Sequence, residues 1–152
     1  MLFRSAFPSV NELIGILDRT TGASTPSAQK VADGAQVVSM GQLALNTPVA
    51  THVTDYVARL IVATHPETPT ASEIVKRYVR YGASPRGAQA LILGAKINAL
   101  LEGRFNVAFE DVAAVAANAL RHRLLLNFEG IAEGISPDTV VAEVIKTLPK
   151  TV

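Results

Sequence analysis

Cysteine is absent from this chain of 152 residues, which excludes disulfide scaffolds, cysteine-ligated zinc, iron–sulfur clusters and thiol nucleophiles. Nothing ties the sequence to an oxidising compartment, so a cytoplasmic location is the expectation. Charge of either sign is scarce and balanced: 14 basic against 13 acidic residues give a net +1, which suits neither a nucleic-acid coat protein nor an acidic tail. No apolar run approaches the ~20 residues that a membrane-spanning helix needs. The stretch from Met1 to Pro8 is too short in apolar residues for a signal peptide. The dipeptide Gly-Lys occurs nowhere, and with it goes the P-loop, whose lysine and backbone amides cradle phosphates. Three histidines, His52, His65 and His122, never stand three or four apart, so no metal site is expected. There is no G-x-S-x-G elbow for a serine nucleophile either.

What is present is a periodic apolar pattern. With 49% hydrophobic and 5% aromatic residues, the chain fits one modest domain of ordinary core size. Ser9 followed by Glu12 is a capping box that opens a helix to about Thr20, with Leu13, Ile16 and Leu17 on one face. Residues 21–36 are rich in Gly, Ser, Thr and Ala and read as a loop, or as a weak helix around Ala28 to Val31. Ser39 is a candidate cap for a short helix through Leu45. A longer helix carries Val49, Val53, Tyr56, Val57, Leu60 and Ile61 and ends near His65-Pro66. Thr70 or Ser72 opens the next, with Ile74, Val75, Tyr78 and Val79, and Gly82 is expected to end it as a left-handed cap.

Ser84-Pro85 pairs an N-cap with proline at the first helical position. The helix from there to Leu101 is the most apolar. At about 100° per residue, Arg86, Gln89 and Lys96 occupy a narrow stripe, so the helix is expected to be central and covered on most sides, Leu93 and Ile97 included. Beyond Gly103, Glu110 and Asp111 stand in the first turn of another helix and Arg121, His122 and Arg123 follow its last turn, which counters the helix dipole at both ends. Ser136-Pro137 opens a final helix with Val140, Val141, Val144, Ile145 and Leu148 inward, stopped by Pro149. No useful alternating strand pattern exists, so the fold class is all-α: a small bundle of about six helices.

The segment Gly82-Ala83-Ser84-Pro85-Arg86 is the strongest candidate site. An arginine in the first turn of a helix opposes the dipole and gains nothing locally. A guanidinium beside helix N-terminal amides makes an anion site able to fork onto phosphate oxygens. Between Lys76 and Arg104 there are six basic residues and one acid, a local +5 that leaves −4 for the rest. Such a patch suits a nucleotide, a nucleic-acid backbone or an acidic partner.

These residues resemble a known family. Gly82-Ala83-Ser84-Pro85-Arg86-Gly87-Ala88, Ala95-Lys96, the run Leu100 to Val112, Leu120-Arg121-His122-Arg123-Leu124 and Asn127-Phe128-Glu129 are similar, in order and spacing, to the C-terminal lid of MoxR-type AAA+ ATPases. Phe7-Pro8-Ser9, Asp55-Tyr56-Val57 and Ala63-Thr64 resemble the segment that joins the ATPase core to that lid. The resemblance implies residues 1–22 as joining segment and first helix, 23–36 as linker and 37–149 as the lid carrying sensor 2. It implies that Arg86 is the sensor-2 arginine, contacting the γ-phosphate of ATP, with Ser84, Pro85 and Gly82 as positioning residues. Mg²⁺ would be held by the core, and no catalytic residue is expected in this chain alone. Implied partners are an AAA+ core, neighbouring subunits of a homo-oligomeric ring, commonly a hexamer, and a von Willebrand factor A domain protein, in chaperone-like remodelling.

The resemblance also sets departures. Walker A, Walker B, sensor 1 and the arginine finger belong to a core not seen in these residues, so the expectation is a lid supplied as a fragment, a truncated reading frame or a standalone protein, without ATP hydrolysis alone. Ala108 stands where Ser or Thr would cap the following helix better, by about 1 kcal/mol. The alternatives are a small helical nucleic-acid-binding module using the basic patch, which the apolar helix after Gly82 disfavours, and a helical protein adaptor.

Overall fold

The structure, a computed structural model, describes residues 7–23 and 27–150. The expectation of no signal peptide rests on residues 1–8 and so falls mostly outside the described residues. Among the described residues, eight helices and one small sheet are formed: α1 Val10–Thr20, α2 Gly34–Asn46, α3 Thr51–Ala63, α4 Glu73–Tyr78, β1 Val79–Tyr81, α5 Pro85–Leu101, α6 Phe109–Leu120, β2 Leu125–Leu126, α7 Phe128–Ala132 and α8 Pro137–Thr147. The all-α class holds. No described helix is long and apolar enough to cross a membrane. The chain divides into two compact units between Ser39 and Met40.

In the first unit, α1 begins as its cap predicts. Ser9 Oγ accepts from Glu12 N at 3.4 Å and Glu12 Oε2 accepts from Ser9 N at 2.8 Å. Helix α2 differs from expectation, starting at Gly34 rather than after Ser39, and residues 28–31 are not helical. The cause is a second reciprocal cap: Asp33 N donates to Gln36 Oε1 at 2.9 Å and Gln36 N to Asp33 Oδ1 at 2.8 Å.

The second unit holds the core. Val53, Tyr56, Val57 and Leu60 of α3 meet Leu91 and Ala95 of α5, Val112, Ala116 and Leu120 of α6, and Val140, Val141 and Val144 of α8, all at most 2% exposed. Helix α5 packs most closely on α6, where a Cβ on Gly94 would stand 3.3 Å from Val115. It is less enclosed than its composition suggests. Gly87, Leu91, Ala95 and Ala99 are buried, but Leu93, Ile97 and Leu101 on the other side are exposed, Leu101 at 80%.

Two short strands escaped the sequence reading. β1 runs antiparallel to β2, with Val79 opposite Leu126 and Tyr81 opposite Leu125. Asn127 then ties the region together: its N donates to Tyr78 O at 2.8 Å, its Nδ2 to Arg77 O at 2.6 Å, and its Oδ1 accepts from Gly130 N at 2.9 Å, capping α7.

The turn from α5 to α6 is organised around one carboxylate. Gly103, at φ 71°, ends α5. Asp111, 1% exposed, accepts from Arg104 Nη1 and Nη2 at 2.8 and 2.6 Å, from Asn98 Nδ2 at 2.9 Å and from Ala108 N at 2.8 Å. Ala108 is the N-cap and has no side-chain cap bond; Asp111, at the third helical position, supplies the reciprocal half of a capping box by accepting the Ala108 N–H. The Arg104 guanidinium, helped by the Ala108 amide and Asn98, holds the Asp111 carboxyl at about 2 against an ordinary 3.8, outweighing its burial.

Asp111→Asn should cost about 2–3 kcal/mol at neutral pH, since charge-assisted bonds are the strong ones, and urea unfolding measures it. A depressed carboxylate stabilises the fold above its unfolded value and ceases to as pH falls through its folded one. The difference between wild type and Asp111→Asn should therefore shrink as pH falls from 3.8 towards about 2, followed by unfolding curves at each pH.

Candidate functional site

Arg86 stands in the first turn of α5 and is exposed. Every other described arginine has a partner. Arg59 bonds Asp55 at 2.7 Å, Arg77 bonds Glu129 and Glu133 at 2.6 and 2.8 Å, Arg104 bonds Asp111, and Arg121 bonds Asp138 at 2.8 Å. Arg19 and Arg123 donate to helix carbonyls, and Arg80 lies over the Tyr81 ring at 5.3 Å. Arg86 makes no hydrogen bond, ion pair or ring contact with any described residue. A guanidinium left free in the first turn of a helix meets the positive end of the dipole uncompensated, an arrangement that an anion would relieve.

Folding thins the basic patch that surrounds it in sequence. Lys76 pairs with Glu73 at 2.9 Å, Lys96 donates to Leu45 O at 2.7 Å, and Arg77 and Arg104 are tied as above. The neutralising acids Glu73, Asp111, Glu129 and Glu133 all lie outside the stretch from Lys76 to Arg104, or return to it from later helices. Lys76 and Arg77 stay exposed while paired, and Arg104 and Arg121 are half-buried in their ion pairs with Asp111 and Asp138. Glu129 and Glu133 clasp α4 to α7: the bond to Glu129 pushes the Arg77 pKa up, and Tyr78 OH donates to Glu133 at 2.7 Å. The surface that a nucleic-acid module would have used is correspondingly reduced.

The start of α5 is held differently from expectation. Ser84 is the N-cap and Pro85 occupies the first turn, but the Ser84 hydroxyl makes no cap bond. Gly82 is not a left-handed cap, since Gly103 and Gly134 are the described glycines with positive φ, and α4 ends earlier, at Tyr78, passing into β1. Gly82 is required by close approach instead. A Cβ there would meet the His65 ring at 2.6 Å and the Thr64 carbonyl oxygen at 2.7 Å, distances no real Cβ tolerates. The next residue, Ala83, is fully buried with both backbone groups satisfied: its N donates to Thr64 Oγ1 at 2.9 Å, and its O accepts from His65 Nε2 at 3.0 Å. Thr64 Oγ1 in turn donates to Ile61 O at 2.6 Å. On the other side of Arg86, a Cβ on Gly87 would crowd Leu120, Ala83 and Ile61 at 3.1–3.2 Å. Sequence reasoning missed Thr64 and His65, which stand at the end of α3, 18 or more residues from the bonds they make.

Among the described residues no group of three or more His, Asp or Glu side chains could hold a metal. Glu110 bonds Lys150 at 2.9 Å and Asp111 is engaged on both oxygens, so neither is free as a ligand.

Comparison with known proteins follows the same residues. The family model of the AAA lid domain matches residues 71–144, from the approach to α4 into α8. The chaperone MoxR1 of Mycobacterium tuberculosis is 34% identical over 142 residues, covering 93% of this chain and 37% of the relative. The protein MoxR of Methylorubrum extorquens is 40% identical over 75 residues, 48% of this chain and 22% of the relative. The crystal structure of a candidate ATPase from Cytophaga hutchinsonii superposes with a TM-score of 0.80 at 25% identity, over 95% of this chain and 44% of that one. The chain thus spans under half the length of each of these relatives. It carries the AAA lid domain of a MoxR-type AAA+ ATPase and belongs to that family.

Proposed function

We propose that this lid is a sensor-2 lid in which Arg86 contacts the γ-phosphate of ATP bound in an AAA+ core. The observation that carries the reading is the Arg86 side chain itself: exposed, in the first turn of α5, and without a partner among the described residues while every other described arginine has one. Its work would be electrostatic. A planar guanidinium forks onto two phosphate oxygens and stabilises the charge that moves through the terminal phosphoryl group during transfer to water. Because α5 is packed on α3 and α6, a pull on Arg86 moves the lid as a body, and lid position then reports the nucleotide state. Ser84, Pro85 and Gly82 serve as positioning residues, Gly82 by admitting the His65 ring. With Glu110 and Asp111 already engaged, Mg²⁺ is left to the core.

In this reading residues 1–22 join core to lid, 23–36 link and 37–149 form the lid. The partners are the core and neighbouring subunits of a homo-oligomeric ring, commonly a hexamer, with a von Willebrand factor A domain protein, in the cytoplasm. The chaperone name of the mycobacterial relative supports remodelling of client proteins as the outcome.

Two expectations test the assignment. Arg86→Ala should leave stability within about 0.5 kcal/mol, as for a surface residue without contacts, checked by urea unfolding of the 152-residue chain. Mixed with a separately prepared MoxR core, the wild-type lid should support ATP hydrolysis and the Arg86→Ala lid at least about tenfold less, with Arg86→Lys recovering part because it lacks the fork. Equal turnover with the wild-type and Arg86→Ala lids would refute the sensor role. The chain alone should hydrolyse no ATP.

A further inference from the structure

The geometry points to Thr64 and His65 as positioning residues that aim Arg86, an inference that rests on the sensor-2 reading above. The first turn of α5 has no side-chain cap of its own. Pro85 has no N–H, the Ser84 hydroxyl makes no cap bond, and Arg86 makes no hydrogen bond, ion pair or ring contact with a described residue. What fixes the turn is the last turn of α3. Thr64 accepts the Ala83 N–H and His65 donates to the Ala83 carbonyl, so one peptide unit on each side of Ala83 is pinned to the same neighbouring helix.

The His65 ring fills the space above Gly82 that any Cβ would need, so a side chain at that position would push the ring out of place. The clamp itself is braced. Thr64 is fully buried and bonds back to Ile61 O, while Thr68 Oγ1 and Thr68 N both donate to His65 O, at 2.9 and 3.2 Å. Only two residues, Ser84 and Pro85, separate the pinned Ala83 from Arg86, too few to absorb a change of direction at the start of a helix. Displacing the clamp therefore re-aims the guanidinium without unfolding α5, whose Leu91, Ala95 and Ala99 are seated in the core. The His65 bond requires hydrogen on Nε2, since the Ala83 carbonyl oxygen can only accept.

The test uses lids carrying His65→Ala, Thr64→Val and Gly82→Ala, with His65→Gln and Thr64→Ser as conservative partners that keep a donor and a hydroxyl. Amide exchange in the 152-residue chain should quicken at least about fivefold at Ala83 and Gly87 in the first three, from the loss of one buried bond. Exchange at Leu91 and Ala95 should stay as in wild type, which shows that α5 remains folded. In the mixed assay with a MoxR core, the same three lids should lose turnover towards the Arg86→Ala level, with His65→Gln and Thr64→Ser recovering it.

The double variant His65→Ala/Arg86→Ala should be no slower than Arg86→Ala alone, since His65 acts through Arg86. If Arg86→Ala lowers turnover and His65→Ala does not, or if the two losses multiply, the clamp is a structural bond only and the inference is overturned. If Arg86→Ala has no effect, the sensor reading itself fails. Quickened exchange at Ala83 would then leave a clamp that aims nothing, and the positioning role falls with the reading.

Discussion

The lid is held in shape by a carboxylate that has been taken out of water. Asp111 is 1% exposed, and a buried anion is expensive unless its lone pairs are answered. Here the answers come from three places in the chain: Asn98 near the end of α5, Arg104 in the connection, and the Ala108 amide at the start of α6. No one of them could be moved without leaving charge or an N–H unpaired. The bonds therefore do more than join two residues. They fix the angle at which α5 leaves the turn and the residue at which α6 begins, and α5 against α6 is the packing on which the rest of the core is laid. The low pKa of the group, about 2, is the same fact seen from the proton's side.

Paired and unpaired arginines thus divide the work. Arg77 and Arg104 hold helices together through acids that lie 52 and 7 residues away, and Arg121 reaches Asp138 across 17. Arg86 is left over. In a chain with nearly equal numbers of acids and bases, an arginine with no described acid beside it at a helix N-terminus is an unspent charge, and the family to which the lid belongs handles nucleoside triphosphates.

How much of this was legible follows from how local each cause is. Ser9–Glu12, Ser136 and the Pro85 and Pro137 starts act within one turn, so the helices they open were read correctly from the sequence; so was the inward stripe of α8. Asp33–Gln36 is equally local but was hidden among the glycines and serines of the loop-like stretch, and α2 was begun too late. The β1–β2 ladder is too short for any alternating pattern, and its two strands meet only because Asn127 returns to Tyr78. The +5 window was misleading for a different reason: charge counted along the chain ignores acids that folding brings in. Arg86 itself was legible because its peculiarity, a cation against the helix dipole, is a property of one turn.

Gly82 shows the limit most clearly. A glycine just beyond an apparent helix invites a backbone explanation, and the local one, a left-handed cap, is the commonest. The demand on it comes instead from a ring 17 positions earlier, and no spacing rule within a helix or strand connects the two. Such a glycine is needed for what it lacks, a Cβ that would displace a neighbour. The contrast with Gly103, whose φ of 71° does require glycine, separates the two roles. Gly103 lets the chain turn out of α5 at the Asp111 end, while Gly82 lets α3 close on the chain as it turns in at the Arg86 end. A helix of 17 residues, about 25 Å long, is thereby secured at both ends by contacts from outside itself, one electrostatic and one steric. The charge in its first turn stays free because neither contact uses it.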